Sequence, residues 1–215
     1  MARVRIARPR HVIGWLAVLG ALAWFTQTQL AGSMDQSFAG WVSDLHGARD
    51  GRVDSVMLAL SEIIRPIYIA PVTLVAAALL WFRFRAWALL LPASFGSSIA
   101  VTYAMKWFLD RDRPGEEFSL VNLHDAAFPS AHVAAVTSSG MAAMQLAIPV
   151  LRRTARKLLD LAIIALIGAV ALSRVWVGAH WLTDVIGGLI AGVIGLAVAL
   201  LVLRRWPRAR RYALP

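Results

Sequence analysis

An all-α, polytopic membrane protein, built as a bundle of six transmembrane helices in one domain spanning 1–215, is the fold this sequence predicts, on three grounds. Hydrophobic residues fill 59% of the 215 positions and mean hydropathy is +0.65, more apolar than an ordinary soluble domain. Apolar runs near 12–31, 66–82, 86–107, 131–151, 158–176 and 182–203 each approach the roughly 20 residues needed to cross a bilayer. Basic residues gather on alternate connections, as membrane topology requires. With no Cys, disulfides and thiolate metal sites are excluded, and helix packing must hold the fold.

The elements follow in chain order. Before the first run stand Arg3, Arg5, Arg8 and Arg10, and behind it Leu30-Ala31-Gly32-Ser33. That pattern has the outline of a signal peptide. A signal anchor fits better, because the run exceeds a typical cleaved core and its removal would leave an odd number of spans. The outer segment 32–65 mixes Phe38, Trp41, Val42, Leu45, Val53, Val56, Met57 and Leu60 with acids at partly helical spacing, which places it on the outer membrane surface. Arg65-Pro66 opens the second span, and Trp81 to Arg85 closes it with an aromatic and basic anchor. After a very short return, the third span ends at Lys106. The outer loop 108–130 is charged, turns at Pro114-Gly115 and re-enters the bilayer at Pro129-Ser130. A last outer segment, 177–181, separates the fifth span from the sixth, where Gly188 and Gly192 allow close approach to a neighbouring helix.

A net charge of +10 would suggest a nucleic-acid partner in a soluble protein. Here fifteen of the 22 Lys and Arg lie in the N-terminal tail, at Arg83 and Arg85, between Arg152 and Lys157, and after Leu203. All of these fall on one side of a six-pass arrangement, and most acids fall on the other. The positive-inside rule then explains the charge, puts both termini in the cytoplasm, and leaves no nucleic-acid partner to invoke.

Seven basic residues oppose that rule, and three of them, Lys106, Arg113 and Arg174, stand at outer span ends where they can converge with His132 and His180. Such a pocket suits a phosphate. Arg offers forked donors, Lys a compact charge, and the backbone N–H groups opening a helix at Ser130, Ala131 and His132 form an anion site. His180 and Asp184 are four apart, so on a helix the carboxylate holds the imidazole in one tautomer. The residues then predict attack by His180 on phosphorus, support of its imidazolium by Asp184, and protonation of the leaving oxygen by His132. No metal or cofactor is needed. Each element has a plainer reading: Lys106 as a snorkelling cation, His132 as a packed residue, Ser130 as a helix cap, Arg174 as a rim ion pair, and His180 with Asp184 as a structural hydrogen bond or half a metal site. Asp110, Arg111 and Asp112 are read as a solvated loop that pairs nearby Arg residues, and Trp107, Trp176 and Trp181 as an interfacial aromatic belt.

Taken together, these residues resemble the type-2 phosphatidic acid phosphatase superfamily, integral-membrane lipid phosphatases with a haloperoxidase-like catalytic core. Lys106 with Arg113-Pro114 matches the first motif, Pro129-Ser130-Ala131-His132 the second, and Ser173-Arg174 through His180 to Asp184 the third. The resemblance covers roughly residues 86–203 and departs at Ala131, where the family usually has Gly. It implies a six-helix bundle with an outward-facing site, His180 as nucleophile, Asp184 as its partner, His132 as leaving-group acid, and Lys106, Arg113, Ser130, Ala131 and Arg174 on the phosphate.

The expected activity is metal-independent hydrolysis of a membrane lipid phosphate or diphosphate at the outer face of a bacterial plasma membrane. A polyprenyl diphosphate is placed first, with phosphatidic acid and phosphatidylglycerol phosphate as alternatives. A transporter or flippase would carry its charges through the midplane and show inverted repeats, and a non-catalytic lipid-binding protein would not need both histidines. No oligomeric state follows from the sequence.

Overall fold

The computed structural model describes residues 8–47 and 51–206, all helix, turn and loop with no strand among them. Arg3, Arg5, Arg208, Arg210 and Arg211, which carry part of the tail charge, lie outside the described residues. The chain is all-α: α1 Pro9–Phe25, α2 Gln29–Gly47, α3 Arg52–Ile63, α4 Pro66–Phe84, α5 Leu90–Leu109, α6 Ala131–Ala147, α7 Arg153–Trp176 and α8 Leu182–Arg205.

Each boundary has a local cause. Proline opens α1 and α4, where its missing N–H and fixed φ cost nothing. At the end of α1 the Thr26 and Thr28 hydroxyls donate to the carbonyls of Ala23 and Phe25, and the chain bends by 81° into α2. The apolar run 12–31 therefore does not form one straight helix. Arg85, at φ 51°, starts a short 3-10 turn over Arg85–Leu89 that folds α5 back along α4. Pro66, Ile67 and Tyr68 at the start of α4 consequently face the same cavity as Tyr103 and Lys106 near the end of α5.

Pro66–Leu109, Arg153–Trp176 and Leu182–Arg205 are long and apolar enough to cross a membrane, and the bent pair α1 with residues 29–45 would add a fourth span. By length and composition this count falls short of six at three places: the break after Phe25, the pair α4 and α5, which is contiguous in sequence over Pro66–Leu109 but turned back at Arg85–Leu89, and α6, which at 17 residues ends before the expected 151. The bundle presents large apolar side chains outward, among them Ile67, Leu79, Phe82 and Phe108, as a multi-pass membrane protein must.

Helices α5, α6 and α8 pack most extensively on one another, with α1 against α8 and α3 against α7. Close approach is possible because α8 carries glycine where neighbours touch it. A Cβ at Gly192 would stand 2.6 Å from Cβ of Thr137 on α6, and one at Gly195 would stand 2.7 Å from the Ser94 carbonyl oxygen on α5. One apolar cluster, including Phe84, Trp87, Leu90, Leu146 and Leu200, seals the end of the bundle near the α4–α5 turn. Another, including Val42, Val133, Val170, Trp176 and Val177, packs behind the opposite end, where the α5–α6 loop and the α7–α8 turn lie.

Candidate active site

The loop between α5 and α6 and the turn between α7 and α8 meet at that end. Leu120 N–H donates to the Val177 carbonyl at 3.0 Å, and Ser130 N–H to the Asp184 carbonyl at 3.0 Å, so the second and third motifs are tied through the backbone. Between Trp176 and Trp181 the chain turns through Gly178, whose φ of 63° suits glycine. A Cβ there would lie only 2.0 Å from the Phe118 carbonyl oxygen. The turn delivers His180 to the interior, 3% exposed, with α8 starting directly behind it.

The His180 ring has two faces of different character. Nδ1 lies 3.5 Å from Oδ2 of Asp184, a long approach of the kind that tightens in a substrate complex. Nε2 lies 3.3 Å from the Arg113 guanidinium. Asp184 itself is fully buried, and its Oδ2 accepts from Trp181 N–H at 2.9 Å. Burial, followed by the nearby charges of Arg113, Arg174 and Lys106, pushes the His180 imidazole well below its ordinary pKa. Both causes favour the neutral imidazole in the free protein.

His180, His132, Lys106, Arg113, Arg174 and Ala131 all line one cavity of about 560 Å³. His132 stands in the first turn of α6, and its Nε2 is buried with no hydrogen-bond partner among the described residues. Lys106, Arg113, Arg174 and two imidazoles around a single space, with Arg65 paired to Glu62 at its edge, form a receptor for a compact anion. Among the described residues, no group of three or more His, Asp or Glu side chains is placed to hold a metal ion.

Several neighbours escaped the sequence reading. Asp125 accepts from Lys106 Nζ at 3.0 Å and from Arg113 at 2.7 Å, so its carboxylate bridges the two cations, while Lys106 also donates to the Ala126 carbonyl. Burial alone would raise the Asp125 pKa, but the hydrogen bond and charge of Lys106, joined by Arg113, hold its carboxyl down at about 2. Arg174 donates to the Ser61 hydroxyl on α3, which fastens that helix over the cavity. None of these four contacts follows from helical spacing, since each joins residues at least 12 apart in the chain.

Other expectations need correction. Ser130 is fully buried, its hydroxyl has no partner among the described residues, and its N–H is already committed to Asp184. It does not line the cavity, which the first turn of α6 reaches through Ala131 and His132. Trp176 is not part of an interfacial belt: it is buried, and its indole N–H donates to Asp54 of α3 at 2.8 Å. Trp181 donates to the Asp112 carbonyl. Trp107 does face outward, 79% exposed. Arg111 is not a solvated loop charge, because its guanidinium lies inside the protein against Asp184.

Residues 87–210 match the model of the PAP2 superfamily. No curated protein sequence matches the chain. Among solved structures, the fold is similar to that of the first transmembrane PAP2 type phosphatidylglycerolphosphate phosphatase from Bacillus subtilis, with a TM-score of 0.78 and 22% identity over 92% of this chain and 98% of that one. It is also similar to LpxE from Aquifex aeolicus, with a TM-score of 0.60 and 16% identity over 75% of this chain and 93% of that one.

Proposed function

The chain belongs to the PAP2 superfamily and is a lipid phosphate phosphatase of that kind; from that premise we propose that it cleaves a polyprenyl diphosphate through a phosphohistidine, at the outer face of a bacterial plasma membrane. The observation that carries the mechanism is the shared cavity, in which Lys106, Arg113 and Arg174 surround both histidines. The phosphoryl group sits among these cations with the N–H groups of Ala131 and His132 at its edge, and displaces the Asp125 carboxylate.

His180 Nε2 then attacks phosphorus in line with the bond to the leaving oxygen. As the N–P bond forms and the P–O bond breaks, His132 Nε2 gives its proton to the departing oxygen. The imidazolium charge on His180 is balanced by Asp184 through Nδ1. In the second half, His132 removes a proton from water, the oxygen attacks the phosphohistidine, and the N–P bond breaks to release inorganic phosphate. His180 returns neutral and His132 protonated. The three cations stabilise charge on the equatorial oxygens in both halves.

The basic segments between Arg152 and Lys157 and at Arg204 and Arg205 lie at the opposite end of the helices from this cavity, which supports an outward-facing site by the positive-inside rule. The B. subtilis likeness favours phosphatidylglycerol phosphate as the second reading. The test is phosphate release by purified protein in detergent with EDTA, comparing polyprenyl diphosphate, phosphatidylglycerol phosphate and phosphatidic acid, with His180→Ala alongside. The proposal expects EDTA-resistant release, fastest on the diphosphate and lost in the variant. Equal or greater release from either glycerolipid would overturn the prenyl assignment, and undiminished release by His180→Ala the histidine mechanism.

A further inference from the structure

Behind the cavity lies an ionic cluster in a part of the protein that should disfavour charge. Arg111 donates from one terminal nitrogen to Oδ1 of Asp184 at 2.5 Å and to the Thr183 hydroxyl at 2.8 Å, and from the other to Oδ2 of Asp35 at 2.8 Å. Asp35 belongs to α2, is 2% exposed, and closes the loop by accepting from Thr183 N–H at 3.1 Å and from the Thr183 hydroxyl at 2.6 Å. Each of the four carboxylate oxygens thus has at least one donor, and the guanidinium also lies 6.0 Å from the centre of the Trp181 ring.

Such a cluster is costly to assemble and gains little stability over an apolar replacement. What it does provide is a fixed carboxylate. Asp184 cannot rotate toward another partner: Oδ1 is held by Arg111, while Oδ2 is held by Trp181 N–H and aimed at His180 Nδ1. We infer that Arg111 and Asp35 are positioning residues, acting through Asp184 to hold His180 in the tautomer and orientation that attacks phosphorus. Asp35 lies outside the 87–210 match, so α2 contributes to the catalytic geometry from beyond the part of the chain that carries the family motifs. The two carboxylates share one cation, and Oδ2 of Asp184 is the oxygen that faces the imidazolium as it forms, while the cations on the cavity side serve the phosphate.

This inference rests on His180 being the nucleophile, and the experiment separates the two. Phosphate release is measured under steady-state conditions for Arg111→Gln, Arg111→Lys and Asp35→Asn, and at enzyme excess for Asp184→Asn alone and with Arg111→Gln. Enzyme excess keeps losses of about 10⁴-fold measurable. The expected result is a fall in kcat of about 10- to 100-fold for Arg111→Gln with KM little changed, since Lys106, Arg113 and Arg174 remain. Partial recovery is expected in Arg111→Lys, and a smaller fall in Asp35→Asn. In the Asp184→Asn background, Arg111→Gln should cost less than about threefold, because the residue through which it acts is already lost.

An Arg111→Gln loss of the same size in both backgrounds would overturn the inference, as would a raised KM at unchanged kcat. If Arg111→Gln does not fold, the same cycle with Asp35→Asn decides: a full-sized loss in the Asp184→Asn background, or no loss when Asp184 is intact, overturns it. His180→Ala run in parallel identifies the other failure, for an active His180→Ala protein removes the nucleophile assignment itself.

Discussion

Asp125 bridges two of the cations that the proposed mechanism assigns to the phosphate, so Asp125→Asn should strengthen anion binding without harming turnover. In the free protein its carboxylate bridges Lys106 Nζ at 3.0 Å and Arg113 at 2.7 Å, and the side chain is 57% exposed. The cations are largely buried and the carboxylate is open to solvent, so at the exposed-pair value of about 0.2–1 kcal/mol each the two pairs together amount to about 0.4–2 kcal/mol. An incoming phosphate must overcome that amount before it gains its own contacts. At about 1.4 kcal/mol per tenfold, releasing it lowers KM, and the inhibition constant for inorganic phosphate, by about two- to thirtyfold. The amide keeps the shape and cannot offer either cation a full charge. Because the carboxyl is held down at about 2, it is ionised across the neutral range and competes at every working pH. Its small stabilising effect is present above the ordinary carboxylate pKa and is lost as pH falls through about 2. The assay is steady-state release in mixed micelles with inorganic phosphate as competitor. Weaker phosphate inhibition in the variant would refute the reasoning, because Asp125 would then be organising the cations for substrate.

Two further outcomes follow from the same geometry. Gly178→Ala requires a residue with a Cβ at φ 63°, costing about 1–2 kcal/mol, and puts that Cβ 2.0 Å from the Phe118 carbonyl oxygen. The turn must shift, and a displacement of about 1 Å at His180 lowers kcat about 100-fold, read by phosphate release together with the melting temperature. The His180 imidazole of the free protein should remain neutral at pH 6.5, where an ordinary histidine is half protonated. Nitrogen NMR of histidine-labelled protein, assigned with His180→Ala, measures this directly. Folding stability linked to this group is present above about 6.5 and is lost on acidification, since the unfolded chain takes up the proton first.

What could be read from the sequence was local or strongly typed. Lys106, Arg113 and Arg174 stood at outer span ends against the charge rule, where they could converge with His132 and His180, and the fold gathers all five around one cavity. The i, i+4 spacing of His180 and Asp184 was visible for the same reason, as was the glycine spacing of α8. Asp35 and Arg111 were invisible because their contact spans 76 residues and because Asp110, Arg111 and Asp112 read as a solvated loop. Ser130 was misread because a helix-opening serine suggests an available N–H, whereas the neighbouring α8 start claims it. The break after Phe25 lacks Gly or Pro, and is made by threonine hydroxyls that bond back to their own helix.

The cavity of about 560 Å³ that opens beside Tyr68 and Tyr103 has room for a headgroup and not for a long hydrocarbon chain. Substrate and product therefore stay anchored in the leaflet, and the protein meets them by lateral diffusion. Its working variable is a density within a surface, the mole fraction of phosphorylated lipid around it, so diluting that lipid with inert lipid slows the protein even when the total amount in the vessel is unchanged. Saturation becomes a property of membrane composition.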